Sequence, residues 1–181
     1  MSKPRLYIDS CCFIDAAKHK VNAALSNDRL NDVWFIQQCL KASEAHDIEV
    51  VTSTLTIAEC TSAGGDISAE VKRLFRSVLT SGKVVTLAQV TLGIAERARD
   101  LRWIHKVNLK GADAIHVATA LTLQCTEFFS TDNRGPHKNA TALQTLGLRV
   151  IRASDTLLLP DDYRQHKLLP PPPPESAESD S

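Results

Sequence analysis

Four carboxylates in this 181-residue chain occupy matching local settings, and their chemistry poses the question. Asp9 ends the apolar run Leu6-Tyr7-Ile8. Glu59 sits in Thr56-Ile57-Ala58-Glu59, just after a second β-prone run. Asp113 falls in the opening turn of a helical segment begun by Gly111, and Asp132 follows the run 127–130. Taken singly, each has an ordinary explanation. Asp9 suits a helix cap, Glu59 an exposed helix position, Asp113 a favourable charge at a helix N-terminus, and Asp132 a turn in Asp-Asn-Arg-Gly. Their shared placement argues for more. In a parallel sheet all strand C-termini lie along one edge, where open α/β sheets collect their ligand-binding groups. Carboxylates gathered there repel, and one pair about 5 Å apart costs roughly 3 kcal/mol at an effective dielectric near 20. A cation in the site or shared protons would relieve that cost. The spacing suggests no His or Cys to complete a transition-metal set, and all-oxygen ligation suits Mg²⁺ or Mn²⁺. Such an ion stabilises charge developing on a phosphate and activates water. The chain contains neither G-x-x-x-x-G-K-[ST] nor G-x-G-x-x-G, which argues against nucleotide binding of those kinds.

The elements that must carry these acids alternate along the chain. The continuous apolar run 6–8 reads as a strand buried on both faces, and further strands are predicted over 48–52, 84–87, 127–130 and 148–151. Helices are predicted over 13–18, 30–45, 68–79, 91–105, 112–123 and 139–146. A further helix carries Ile57, Glu59 and Cys60, capped by Ser53 or Thr54 and broken by Gly64-Gly65. This alternation predicts right-handed βαβ units and an α/β three-layer sandwich, with a central parallel sheet of about five strands flanked by helices. In 30–45, Val33-Trp34-Phe35-Ile36 point in four directions, so a second helix or another chain must cover part of them. In 91–105, Ile94, Ala98, Leu101 and His105 share one face. Arg99, Arg102 and Lys106 share another, either a phosphate-contacting stripe or a solvated surface. Trp103, near Arg99, is expected to pack against a neighbouring helix, with base stacking and a protein interface as the alternatives. Ala114, Ala118 and Ala120 would let their helix approach the sheet closely. His116 is expected to pack or hydrogen-bond, Asp15 to be solvated or to support the site, and Cys11 and Cys12 to pack.

Composition bounds the setting. Apolar residues make up 43% and charged residues 23%, ordinary for a globular protein. No apolar run approaches the roughly 20 residues that span a bilayer, and Met1-Ser2-Lys3-Pro4 leads into no apolar signal segment, which predicts a cytoplasmic protein. Five cysteines without C-x-x-C spacing argue against a disulfide framework and a zinc site. All 21 Lys and Arg precede residue 168, as do 18 of the 21 Asp and Glu, a surplus of three positive charges that points weakly to a polyanionic partner. Residues 1–160 are expected to form one domain and 161–181 a disordered acidic tail, proline-rich from Pro170.

The segments Leu6-Tyr7-Ile8-Asp9-Ser10, Thr56-Ile57-Ala58-Glu59, Ala112-Asp113-Ala114-Ile115-His116-Val117-Ala118-Thr119-Ala120 and Ser130-Thr131-Asp132 resemble the four acidic motifs of PIN-domain ribonucleases. They look most like the VapC-type toxins of type II toxin–antitoxin pairs. The likeness spans about residues 5–152, and its third motif is the most specific. It departs at Arg134-Gly135-Pro136-His137, where the family often has an aromatic or apolar residue. The resemblance implies a parallel sheet with the first strand central. Asp9, Glu59, Asp113 and Asp132 would be the catalytic, metal-binding acids, supported by Ser10 and Thr131. It also implies cleavage of single-stranded RNA with Mg²⁺ or Mn²⁺, a homodimer, and an antitoxin protein that blocks the toxin. The alternatives are a non-toxic RNA-processing nuclease and a catalytically silent RNA-binding or assembly module.

Overall fold

The computed structural model describes residues 3–61 and 67–165. Its strands are β1 (Arg5–Ile8), β2 (Glu49–Ser53), β3 (Thr86–Ala88), β4 (Glu127–Phe129) and β5 (Arg149–Ile151). All neighbours pair in parallel in the order β3-β2-β1-β4-β5, which puts β1 in the middle as its apolar run requires. Alternation along β1 then sorts its side chains between two cores. Leu6 and Ile8 enter one, Tyr7 the other, and all three are fully buried. Tyr7 is in register with Val51 of β2 and Phe128 of β4.

The helices form the outer layers. α1 (Ser10–Lys20), α2 (Asn27–Glu44) and α4 (Ala69–Leu79) pack around Leu6, Ile8, Val50 and Phe129. α5 (Leu92–Trp103), α6 (Gly111–Thr122) and α8 (Ala140–Thr145) pack around Tyr7, Val51 and Phe128. Two short helices, α3 (Leu55–Glu59) and α7 (Gly135–Lys138), lie on the loops that follow β2 and β4. Ser26, Ser68 and Thr91 cap α2, α4 and α5 by accepting the amides of Arg29, Val71 and Ile94, satisfying donors a helix start leaves open. Gly147, at φ 88°, ends the α8 turn in a conformation that side chains disfavour. Ala118 and Ala120 of α6 are fully buried, as their size suggested.

Some expectations change. α1 begins at Ser10 rather than at 13, because Asp9 caps it. The third strand pairs over Thr86–Ala88, two residues after its apolar Val84-Val85. The predicted 139–146 helix is α8, and a further short helix, α7, precedes it and meets it at Asn139. α5 stops at Trp103, so His105 is exposed instead of joining Ile94, Ala98 and Leu101 in the core. On α2, Val33 and Ile36 are buried, Phe35 packs half-buried against the same core, and Trp34 meets Phe35 edge-on at 4.9 Å. The packed chain also continues beyond residue 160. Tyr163 donates to Asp47 Oδ2 at 2.6 Å, and Arg164 donates to the Thr156 and Leu159 carbonyls. The proline-rich tail from residue 166 and Gly64-Gly65 lie outside the described residues. Among the described residues, no helix is long and apolar enough to cross a membrane.

Candidate active site

The chain runs outward from β1 through β2 to β3, then returns across the sheet to β4 and β5. The strand order therefore reverses between β1 and β4, the point at which open sheets leave a crevice at their carboxyl edge. Asp9 stands there, its amide donating to the Phe129 carbonyl at 3.0 Å. Its Oδ1 accepts the Ser10 amide at 2.8 Å, so capping α1 and facing the crevice are done by one residue. Oδ2 accepts from Cys11 Sγ at 3.2 Å and from Ser130 Oγ at 3.1 Å. Cys11, expected only to pack, thus helps hold Asp9.

The loop after β4 is fastened to the same region. The Asp132 amide donates to Ser130 Oγ at 3.2 Å, and Thr131 Oγ1 donates to Asp15 Oδ2 at 2.9 Å. Asp15 is buried rather than solvated, and Arg29 and Lys18 balance its charge at 3.2 and 3.6 Å. It supports the turn that carries Asp132. Asp32 plays a similar structural part elsewhere, buried against Arg152.

Glu59, at the end of α3, meets His116 of α6, whose Nε2 lies 2.6 Å from Glu59 Oε2 and 3.8 Å from Asp9 Oδ1. The His116 Nδ1 lies 2.7 Å from the Tyr7 hydroxyl, which also accepts the Ser53 amide at 2.9 Å. A ring with its hydrogen on Nε2 satisfies this chain: Tyr7 donates to Nδ1 and Nε2 donates to Glu59, a tautomer assigned from the network. One nitrogen of His116 and oxygens of Asp9 and Glu59 all lie within 4.8 Å of one another. The hydrogen-bonding role expected of His116 is met on Glu59, and the expectation that no histidine completes a metal set is corrected, since His116 stands with Asp9 and Glu59. His116 falls one helical turn after Asp113, the spacing that places both on one face.

The charges respond to one another. The hydrogen bond from His116 holds the Glu59 carboxyl below its ordinary range, against the opposing effect of burial. Ser10 adds a further lowering contact to Glu59. Burial works against a charged His116, but Glu59, Asp9 and Asp113 outweigh it and raise the ring's pKa. Burial, then the charges of Asp9 and Asp132, push the Asp113 carboxyl up. Asp113 thus feels the charges of Asp9, Asp132 and Glu59. Among the described residues, no lysine or arginine forms an ion pair with any of them; His116 is the one basic group at their centre. Asp9 is buried and Glu59 and Asp113 are half-buried, and carboxylates so placed with so little compensation fit a divalent cation.

Asp113 and Asp132 line a cleft of about 600 Å³ whose other charged walls are Arg102, Lys110, Arg134 and Lys138. Asp113 presses against α7 so closely that a Cβ added at Gly135 would lie 2.8 Å from its Cγ. Of the expected basic stripe, Arg102 alone lines this cleft. Arg99 lies over the Trp103 ring, 4.7 Å from its centroid, and Lys106 follows the helix end at φ 60° with Nζ on the Trp103 carbonyl. Trp103 is 64% exposed, not packed against a neighbouring helix. Lys110, Arg134 and Lys138 gave no periodic signal, because they come from a helix cap and a loop with a short helix.

An all-parallel domain with acids gathered at its topological switch point has the form of a metal-dependent hydrolase. Residues 6–141 match the model of the PIN domain, well over half of the sequence, and the chain belongs to the PIN domain family. PIN domains are typically metal-dependent nucleases. No curated protein and no solved structure gives a significant match.

Proposed function

We propose that the chain is an endoribonuclease that hydrolyses single-stranded RNA with Mg²⁺ or Mn²⁺. In this reading Asp9, Glu59, Asp113 and Asp132 hold the metal and form the catalytic set, with Ser10 and Thr131 in support. The observation that carries it is the cleft in which Asp113 and Asp132 stand among four cations. Arg102, Lys110, Arg134 and Lys138 suit a polyanionic backbone, and phosphate contacts of this kind dominate affinity for nucleic acid. A backbone drawn past uncompensated carboxylates needs a cation between them, and a divalent ion supplies charge neutralisation for the phosphate and a water of lowered pKa.

The chain's own residues do the rest. Tyr7 and His116 hold Glu59 oriented and ionised. Ser130 and Cys11 fix the rotamer of Asp9. Asp113 and Asp132 stand together in the cleft, where the acids would orient the attacking water. In-line attack would leave a 5′-phosphate and a 3′-hydroxyl.

The same proposal makes the chain the toxin of a toxin–antitoxin pair, a cytoplasmic homodimer restrained by an antitoxin protein. The likeness of its four acidic motifs to VapC-type toxins supports that part. Purified protein freed of any partner should cut RNA in unpaired loops with Mg²⁺ or Mn²⁺ and stop in EDTA. Cutting at full rate in EDTA would overturn the proposal.

A further inference from the structure

We infer that the shelf built on Trp103 takes an unpaired base of the strand whose backbone lies in the cleft, an inference that rests on the nuclease reading above. Trp103 ends α5 with its ring 64% exposed, and the Arg99 guanidinium lies 4.7 Å from the ring centroid. A cation over an indole is an attractive contact that holds the ring in place. The result is an exposed indole with a cation over one face, so a base would stack on the face turned away from Arg99.

Beside it lies a recess of about 420 Å³ lined by Trp103, Leu109, Ala114 and Ile115, with Arg99 and Arg102 at its charged side. Arg102 and Leu109 also line the cationic cleft that holds Asp113 and Asp132. The apolar shelf therefore adjoins the phosphate-suited cleft, with Arg102 between them. Single-stranded RNA has the matching composition, a charged backbone with flat, weakly polar bases splayed to one side. Bases stacked inside a duplex could not reach the ring, whereas those of loops and ends can. Because every base has a π face, the shelf would demand a base without demanding which one. An exposed tryptophan can also anchor a protein interface. Arginine suits such an interface as well, but lysine is depleted there, and here the ring lies on a surface continuous with Lys110 and Lys138 as well as Arg102 and Arg134. That favours the polyanion.

The test uses the full chain carrying Trp34→Phe, which leaves Trp103 as the single tryptophan. Binding of end-labelled oligouridine is followed in EDTA at low salt by anisotropy, with tryptophan fluorescence read in parallel. Oligouridine should quench the fluorescence, and an abasic strand of equal length or a duplex should not. Trp103→Ala should weaken oligouridine binding roughly tenfold, as expected for loss of one stacked base, and Trp103→Phe should recover most of it. Circular dichroism confirms that each variant is folded. If RNA binds with no quenching and Trp103→Ala keeps full affinity, the shelf holds no base and the nuclease reading stands alone. If Trp103→Ala instead changes the oligomeric state in light scattering while RNA affinity holds, the ring is a protein contact and the inference fails. Absence of binding to any strand, in EDTA and again with Ca²⁺ present, would overturn both this inference and the nuclease reading.

Discussion

Tyr7→Phe removes one oxygen from the centre of the sheet and tests whether His116 links β1 to Glu59. The ring itself should stay, since it stacks on Phe128 at 5.1 Å with an interplanar angle of 4° and is fully buried. Burial raises the phenol's pKa far above its ordinary value, so the hydroxyl keeps its proton for His116 at any working pH. Without it, the buried Ser53 amide and His116 Nδ1 both lose their partner. Each buried polar group left unpaired costs about 1–3 kcal/mol, so the variant should lose roughly 2–6 kcal/mol. Glu59→Gln keeps an acceptor for Nε2 but removes its charge; charge-assisted hydrogen bonds are about twice as strong as neutral ones, so roughly 1 kcal/mol should go. If the imidazole couples the two positions, the double variant should depart from additivity by about 0.5 kcal/mol or more. The assay is urea unfolding of the four proteins in EDTA, with circular dichroism as the fold check. Tyr7 touches no substrate, so in cleavage assays Tyr7→Phe should lower kcat and leave KM for RNA nearly unchanged. Additivity within about 0.5 kcal/mol would mean that the two sites are independent, and the relay reasoning would be wrong.

Three other outcomes bear on the site. Asp113→Asn should be as stable as the parent or more so in EDTA, because burial and its neighbours disfavour its charge. Thermal unfolding should also show it missing most of the roughly 1.4 kcal/mol that a metal at ten times its dissociation constant gives the parent; exposed Asp155→Asn should change neither value. Gly135→Ala should force the Asp113 carboxylate aside, costing about 1–3 kcal/mol and weakening metal-induced stabilisation; a variant with the parent's unfolding curve and metal response would show that this close approach is unimportant. Replacing Arg102, Lys110, Arg134 and Lys138 together with Gln should flatten the log–log salt dependence of RNA binding by roughly 3 units, at about 0.7 per phosphate contact on a single strand, whereas an unchanged slope would move the backbone out of this cleft.

Much of this arrangement is local, and local patterns were enough to read it. A strand buried on both faces must be apolar throughout, and only β1 shows that so plainly beside an acid, which marked it as an interior strand of a parallel sheet. Asp9, Glu59 and Asp132 were legible because each follows its strand after a short connection, and strand polarity sends such connections to one edge, whereas Asp113, placed beyond β3 and α5, was marked by the helix start at Gly111. What escaped was whatever depends on contacts between distant segments. His116 meets Glu59 across 57 residues and Tyr7 across 109, so its helix position alone could not separate a core histidine from one joined to the acids. Asp15 reads as either solvated or supporting the site until Thr131, 116 residues away, and Arg29 close over it. The basic stripe failed for the opposite reason. Its periodicity assumed that the helix continues, but α5 ends at Trp103 and Lys106 leaves its face. Sequence periodicity thus determined the strands, their common edge and the acids placed there, because these follow from backbone geometry and hydrophobic burial. The partners that orient the acids, the cations that face them across the cleft and the exposure of Trp103 were decided only when the chain closed on itself, since side-chain hydrogen bonding and charge act over a few ångströms of space whatever the separation in sequence.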